Sequence, residues 1–259
     1  MVAPDIDRQA TGGLGLMPIE FNSLETTRFG VVAAHVAETG ADIEAINAAA
    51  DDLGVEMLTA RIEVGDLPTV HRFESAGFRL MDTIVYYGRA TTNLPERLNY
   101  HGTSIRLARH DDSSAVGAIA RRAFRGYVGH FHADPHLDRD AADAVYVEWA
   151  ETSTAHADKS RPVLLCCRNN FVLGFLTLRG IGEQTAEIVL NAVDPMQQGR
   201  GIYGLLVESA LKHARQGGAN ELSVSTQINN YGVQRVWARL GFVHTNSLYT
   251  FHKWYQRTN

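Results

Sequence analysis

One stretch constrains this chain more than any other: AEIVLNAVDPMQQGRGIYGLLVESALKHA, residues 186–214. It opens with strand-like alternation, turns at Asp194-Pro195, and places Gly199 and Gly201 on either side of a single arginine. Leu205, Leu206, Ala210 and Leu211 then recur at helical spacing. A strand, a glycine loop and a helix in that order belong to an α/β layer. Glycines at 199 and 201 let the backbone bend tightly and gather several N–H groups at one point. With the positive end of a helix dipole behind them, such donors suit a pyrophosphate. A dinucleotide-binding loop would also ask for an acidic residue about 20 positions further on, and a P-loop would end in Gly-Lys-Ser/Thr, which is absent.

Around this stretch the periodicity predicts two α/β segments. In the first, Phe29–Ala37, Val55–Val64 and Phe78–Tyr87 read as strands, and Asp42–Leu53 reads as a helix ended by Gly54. A second helix starts near Pro68 and stops at Gly77. In the second segment, strands are expected at Ser104–Ala108, Val163–Arg168, Val172–Arg179, Ala186–Val193, Glu221–Thr226 and Val243–Trp254. Helices are expected at Asp111–Phe124 (capped by Asp111 or Asp112), Ala141–Thr152, Gly204–Arg215 and Tyr231–Leu240, with Arg125–Arg139 irregular. The expected organisation is a tail over 1–15, a smaller domain over 16–90, a linker over 91–103 and the main domain over 104–259. A weak repeat sets VHRFESAGFRLMDTIVYY over QRVWARLGFVHTNSLYTF, aligning Gly77-Phe78 with Gly241-Phe242. The first segment lacks any glycine loop, so the chemistry is expected in the second.

The loop resembles the acetyl-CoA motif of the GNAT superfamily, (Arg/Gln)-x-x-Gly-x-(Gly/Ala), matched by Gln198 and Gly201. Its last position is Tyr203, with Gly204 one residue late. Downstream, INNYGVQRVWARLGF is similar to the family's Asn-x-x-Ala-x-x-x-Tyr-x-x-x-Gly-Phe block: Asn230 and Gly241-Phe242 match, Val233 stands for the alanine and Trp237 for the tyrosine. The resemblance covers about residues 104–255. It implies the GNAT fold, an α/β (α+β) architecture with a mixed central sheet flanked by helices, preceded by a truncated GNAT-like α/β domain. It also implies acetyl-CoA, or another short acyl-CoA, held by Asn191, Ala192, Val193, Gln198, Gly199, Arg200, Gly201, Ile202, Tyr203, Gly204, Asn230 and Trp237. Within the superfamily, FESAGFRLMDTIVYY, HFHADPHLDRDAADAVYVEWAE and the closing YTFHKW resemble the N-acyltransferases of nucleotide-linked amino sugars.

Acyl transfer from a thioester to an amine needs a neutral amine, a donor for the oxyanion and a proton for the leaving thiolate. By the resemblance, the strand ending at Val193 diverges from its neighbour and frees the Val193 N–H for the thioester carbonyl. Glu187 is the candidate base because AEIVLNAV resembles the strand on which the family's histone-acetylating branch places its glutamate base. Alternation puts it on one face with Val189 and Asn191, and a solvated surface glutamate would carry the same pattern. An indole N–H is a donor but no acid, so Trp237 leaves the acid to Tyr249 or His252 on opposite faces of the last strand, or to solvent. The run YVGHFHADPH offers Tyr127, His130 and His132 to a polar acceptor. Its histidines could also suggest a metal, but a proline and irregular spacing speak against one, and no metal is expected.

A formal net charge of −5 argues against a nucleic-acid partner. The sequence has no apolar run of about 18 residues and no signal-like start, so no membrane partner and a cytoplasmic location are expected. Cys166 and Cys167 are adjacent in an apolar run, which suits two buried thiols. Without a cysteine in the site strand, direct attack in a ternary complex is expected, and any assembly is expected to be a homodimer. The residues thus point to an N-acyltransferase with an amino-sugar nucleotide as acceptor. The alternatives are an acetyltransferase for a protein or another small amine, and an acyl-CoA-binding regulator without catalysis.

Overall fold

The computed structural model of this chain describes residues 17–93 and 102–255; the expected tail and most of the expected linker lie outside the described residues. The first stretch forms β1 (Ile19–Phe21), α1 (Ser23–Phe29), β2 (Ala33–Val36), α2 (Ile43–Asp52), β3 (Met57–Glu63), α3 (Leu67–Ser75) and β4 (Arg79–Ala90). The second forms β5 (Ser104–Leu107), α4 (Ser113–Ala123), α5 (His130–Ala133), α6 (Arg139–Ala155), β6 (Val163–Arg168), β7 (Phe171–Arg179) and β8 (Thr185–Val193). It closes with α7 (Ile202–Gln216), β9 (Glu221–Gln227), α8 (Tyr231–Arg239) and β10 (Val243–Trp254).

Two compact units emerge. The first takes everything described up to Ile84, together with Val128–Ala142 and the chain from Ser247 on. The second takes Val85–Tyr127 and Asp143–Asn246. In the first unit β1 pairs antiparallel with β2, β2 parallel with β3, and β3 antiparallel with β10. One face of this mixed sheet buries Leu58, Ala60, Ile62 and Phe251 against Ile46 and Ala50 of α2 and Val70 and Phe73 of α3. The other face carries Thr59 and His252 at paired positions.

In the second unit β5, β6, β7 and β8 are antiparallel neighbours, and β8 pairs parallel with β9. Helix α7 packs Leu206, Val207, Ala210, Leu211 and Ala214 into the core of this sheet, against Leu176, Ile188, Leu222 and Val224. Truncating Leu206 or Leu211 to alanine would cost about 2–5 kcal/mol, as such fully buried leucines usually do. Each unit is thus a mixed sheet flanked by helices, the α/β class expected from the periodicity.

Three local expectations are corrected. Phe29 does not open a strand but closes α1, whose ends are set by the Asn22 side chain accepting from the Glu25 N–H and by Gly30 at φ 66°. The apolar run FGVVAA hid that cap. Asp112 precedes α4 but does not cap it, because its carboxylate takes both guanidinium nitrogens of Arg106 at 2.7 Å. Finally, the stretch read as irregular, Arg125–Arg139, contains α5.

The repeat is structural. Both α3 and α8 are nine residues long, end at a left-handed glycine (Gly77 at φ 86°, Gly241 at φ 81°) and lead into twelve-residue strands. Phe73 and Trp237 occupy the same place, each fully buried, with carbonyls accepting the N–H of Phe78 and Phe242 at 3.0 Å.

Candidate active site

The parallel pairing of β8 with β9 runs from Thr185↔Glu221 to Ile188↔Val224 and stops, although β8 continues to Val193 and β9 to Gln227. Beyond Ile188 the two strands diverge. On the far side β8 stays paired with β7, through a bulge after Leu178↔Ile188 that shifts the register before Leu176↔Asn191. Leu190 donates its N–H to Thr177 Oγ1 at 2.9 Å, and Asp194 donates to the Leu173 carbonyl at 2.9 Å. Strand alternation therefore turns the N–H groups of Asn191 and Val193 the other way, into the gap. Gly174 holds this edge close, since a Cβ there would meet the Ala192 carbonyl oxygen at 2.9 Å.

The loop after β8 ends at the N-terminus of α7. Gly199 and Gly201 sit at φ 74° and 76°, a region that L side chains rarely adopt, and nothing lies within 4 Å of a Cβ built on Gly199. The first intrahelical bond is Leu205 N–H to the Gly201 carbonyl, at 3.1 Å. The N–H groups of Ile202, Tyr203 and Gly204 precede it, so they are the helix's orphan donors. Gly201 gives α7 no side-chain cap, and no acidic residue occupies the first turn. An anion meets donors and no opposing carboxylate here, which fits a pyrophosphate. The remaining residues expected at the cradle have mixed placements. Gln198 Nε2 reaches back to the Val193 carbonyl at 3.3 Å, Arg200 is exposed beside Gln197, and Ile202 is buried in the core.

Helix α8 begins at Asn230, whose side chain donates to Thr226 Oγ1 at 3.0 Å and does not cap the helix. On its buried face, Trp237 donates its indole N–H to the Tyr203 hydroxyl at 2.8 Å and tilts against Tyr87, with ring centroids 5.3 Å apart. Burial pushes the Tyr203 phenol well above its ordinary value, against the opposing effect of the Trp237 bond. Tyr127 donates its hydroxyl to Gln227 Oε1 at the end of β9. The tyrosine in the loop motif and the tryptophan in the downstream block, two of the three departures from the family pattern, thus meet in one hydrogen bond.

Glu187 shares its face with Val189 and Asn191 as expected, but its carboxylate holds Arg179 Nε at 2.6 Å, and it lies where β8 is still paired with β9. Tyr249 packs against the apolar core of the first unit, and His252 faces away from that core. His252 is fully buried: its Nδ1 lies 2.7 Å from Asp134 Oδ2 and its Nε2 lies 2.9 Å from His130 Nδ1. Trp254 Nε1 donates to the same Asp134 oxygen at 2.8 Å. Burial alone would raise the Asp134 carboxyl, yet the bonds from His252, Trp254 and His136 hold it far below its usual range. Burial, then the adjacent His252, pushes His130 well below the usual histidine value. His132 accepts the Gly129 N–H through Nδ1. The sequence offers His252 on the last strand and His130, with Asp134 nearby, in the polar loop; the structure joins both His130 and Asp134 to His252, a link that no local pattern shows across so much chain.

Burial pushes the Cys166 thiol up to about 11, and Cys167 is buried beside it. Among the described residues, no group of three or more histidine, cysteine or acidic side chains is placed to hold a metal ion, and no helix is long and apolar enough to cross a membrane.

Comparison with known proteins agrees with this geometry. The model of the acetyltransferase (GNAT) family matches residues 115–242. Over 144 residues the chain is 27% identical to the spore coat polysaccharide biosynthesis protein SpsD of Bacillus subtilis, covering 55% of this chain and 48% of that protein. It is also 25% identical over 182 residues to a dTDP-fucosamine acetyltransferase of Escherichia coli O6:H1, covering 70% of this chain and 75% of the relative. The match thus spans about half of SpsD and three quarters of the second relative. Among solved structures, a GCN5-related N-acetyltransferase from Sphaerobacter thermophilus superposes with a TM-score of 0.64 at 14% identity, over 91% of this chain and 76% of that one. The diverging β8 and β9, the uncapped glycine-led α7 and the family match fall on the same residues, and the chain carries an acetyltransferase domain of the GNAT family.

Proposed function

We propose that the chain is an acyl-CoA-dependent N-acyltransferase that moves an acetyl or short acyl group to the amine of a nucleotide-activated amino sugar, by direct attack in a ternary complex. The observation that carries the acyl-transfer part is the gap between β8 and β9, with Val193 and Asn191 N–H groups turned into it beside the uncapped start of α7. The N–H groups of Ile202, Tyr203 and Gly204 would hold the pyrophosphate of an acyl-CoA. When bound, that molecule supplies an activated acyl carbonyl as a thioester. The Val193 N–H is oriented as an oxyanion donor, a contribution worth about 3–4 kcal/mol in comparable sites. Glu187 is committed to Arg179, so the acceptor amine loses its proton to water and not to this carboxylate. With Cys166 held as a thiol, the acyl group passes straight to the amine without an acyl-enzyme.

The acceptor class rests on the two relatives, one a dTDP-fucosamine acetyltransferase and the other a protein of spore coat polysaccharide biosynthesis. The test is an acceptor screen with acetyl-CoA across amino-sugar nucleotides, free amino sugars, polyamines and peptide amines, following amine-dependent release of coenzyme A. Turnover confined to amino-sugar nucleotides is expected. Turnover with peptide amines alone would replace the acceptor, and saturable acetyl-CoA binding with no turnover for any amine would replace the enzyme by a binding protein.

A further inference from the structure

We propose that the Tyr203 hydroxyl, held in place by the Trp237 indole, donates a hydrogen bond to the sulfur that departs as the acyl group is transferred. This rests on the acyl-transfer reading above and adds to it the group that meets the leaving sulfur.

Trp237 Nε1–H can only donate, so in the 2.8 Å contact the Tyr203 oxygen is the acceptor. The phenol's own hydrogen is not spent in that bond and stays available for donation. Its position is set by the two helices. Helix α7 starts from the loop that follows β8, and α8 follows the end of β9, so both begin on the side where these strands diverge. Tyr203 is in the first turn of α7 and Trp237 is on α8, so their bond ties the two helices together there. Tyr127 is close enough to Tyr203 to act on it electrostatically, and its hydroxyl is bound to Gln227, the last residue of β9. The phenol oxygen thus lies against the indole of α8 and within reach of Tyr127, whose partner Gln227 ends β9, while its own helix starts from the loop after β8.

The chemistry asks for a donor, and Tyr203 fits as one that keeps its proton. In the transfer the N–C bond forms, the C–S bond breaks and its electron pair leaves on sulfur. The proton that the amine gives up ends on that sulfur by way of solvent. Tyr203 stabilises the sulfur while it carries charge and returns unchanged, which suits a phenol that burial keeps protonated. Trp237 acts as a positioning residue, since it touches Tyr203 and not the sulfur.

The test compares wild type with Tyr203→Phe, which keeps the ring and removes only the hydroxyl, with thermal unfolding as the folding control. Calorimetry at pH about 9, where much of a free thiol is ionised, uses coenzyme A and a coenzyme A lacking the sulfur atom. Tyr203→Phe should bind coenzyme A roughly 10–100-fold more weakly, as expected for a lost hydrogen bond to a charged group, and should bind the sulfur-free analogue as wild type does. Its kcat with acetyl-CoA should fall by a similar factor at unchanged KM. Trp237→Phe should show the same sulfur-dependent contrast in smaller measure. Equal losses for both ligands would make Tyr203 structural, and no loss for either would also overturn the proposal. If wild type binds coenzyme A but acylates no amine, the N-acyltransferase reading fails while the sulfur contrast still decides the role of Tyr203.

Discussion

Gly201 combines two demands that no other residue meets: a φ of 76° and an N-cap position with nothing beyond the backbone to approach a bound anion. A β-branched side chain at that φ is strained by about 1–2 kcal/mol and would crowd the donors of the first turn. Gly201→Val should therefore abolish measurable coenzyme A binding by calorimetry while lowering the unfolding midpoint only modestly. Retained affinity would remove the loop from the site. Gly174 makes a contrasting case, because its φ is ordinary and the constraint is contact alone. Alanine there would strike the Ala192 carbonyl and push β7 away from the edge that presents Val193. Gly174→Ala is expected to lower kcat by at least about tenfold with little change in acetyl-CoA affinity, since an oxyanion donor acts in the transition state; a KM effect alone would show that Val193 is not that donor. The glycines of the loop were legible because local spacing encodes them. Gly174 was not, since its importance comes from a strand nineteen positions further on, Gly174↔Val193. The same blindness applies to Glu187, whose strand face was readable but whose partner Arg179 lies across a ladder.

Among the elements, α5 and the turn after it show how a short polar segment is fastened to a strand. His252 on β10 uses both ring nitrogens on this segment, Nδ1 toward Asp134 and Nε2 toward His130. One proton shared between the two imidazoles keeps their bond, and a second leaves two donors facing each other. The groups acting on His130 are His252, Arg61 and His132, which disfavour its charged form, and Asp134, which favours it; burial outweighs them all. A histidine whose folded-state pKa is depressed contributes stability that is full above its ordinary value of 6.5 and is lost as pH falls through the folded value. The depressed Asp134 contributes in the same sense, but its share is lost only below the ordinary carboxylate range. The urea midpoint should therefore be flat above pH about 7 and decline toward pH 5, with amide exchange in Val128–Ala142 rising in parallel. His130→Asn keeps a donor toward His252 and removes the titration, so its decline between pH 7 and 5 should be shallower. An unchanged slope would assign the pH dependence to other groups. Asp134→Asn, which removes a buried acceptor of several bonds, should cost about 1–3 kcal/mol at pH 7. The strands around the core were readable from alternation, Val163–Arg168 and Val243–Trp254 to the residue. By contrast α5 is four residues long and owes its position to a strand more than a hundred residues away, so periodicity could not register it.

At the scale of the whole molecule, the repeat raises the question of whether each unit holds its own acyl carrier. The starts of α1, α2 and α3 give reason to expect that the first does not. In the first unit, α2 begins with Asp42, whose carboxylate already takes the Glu44 N–H, and Glu44 itself sits in the first turn. Helix α3 begins with Asp66, whose carboxylate takes the Thr69 N–H. Each carboxylate takes one orphan donor and complements the dipole internally, so a pyrophosphate would meet like charge there. Helix α1 is capped in the same way by Asn22. In the second unit α7 has a glycine cap, no acid in its first turn and donors left over. The duplicated part, a nine-residue helix, a left-handed glycine and a long strand, is the scaffold around a site and not the site itself. We therefore expect one coenzyme A per chain, bound with a stoichiometry of one in calorimetry and lost in Gly201→Val. Substitutions at the helix starts of the first unit, such as Asp42→Ala, should weaken stability by about 0.5–2 kcal/mol and leave that stoichiometry and affinity untouched. Two equivalent sites, or a site that survives Gly201→Val and disappears on changes near α2, would place an acyl carrier in the first unit and overturn this division of labour.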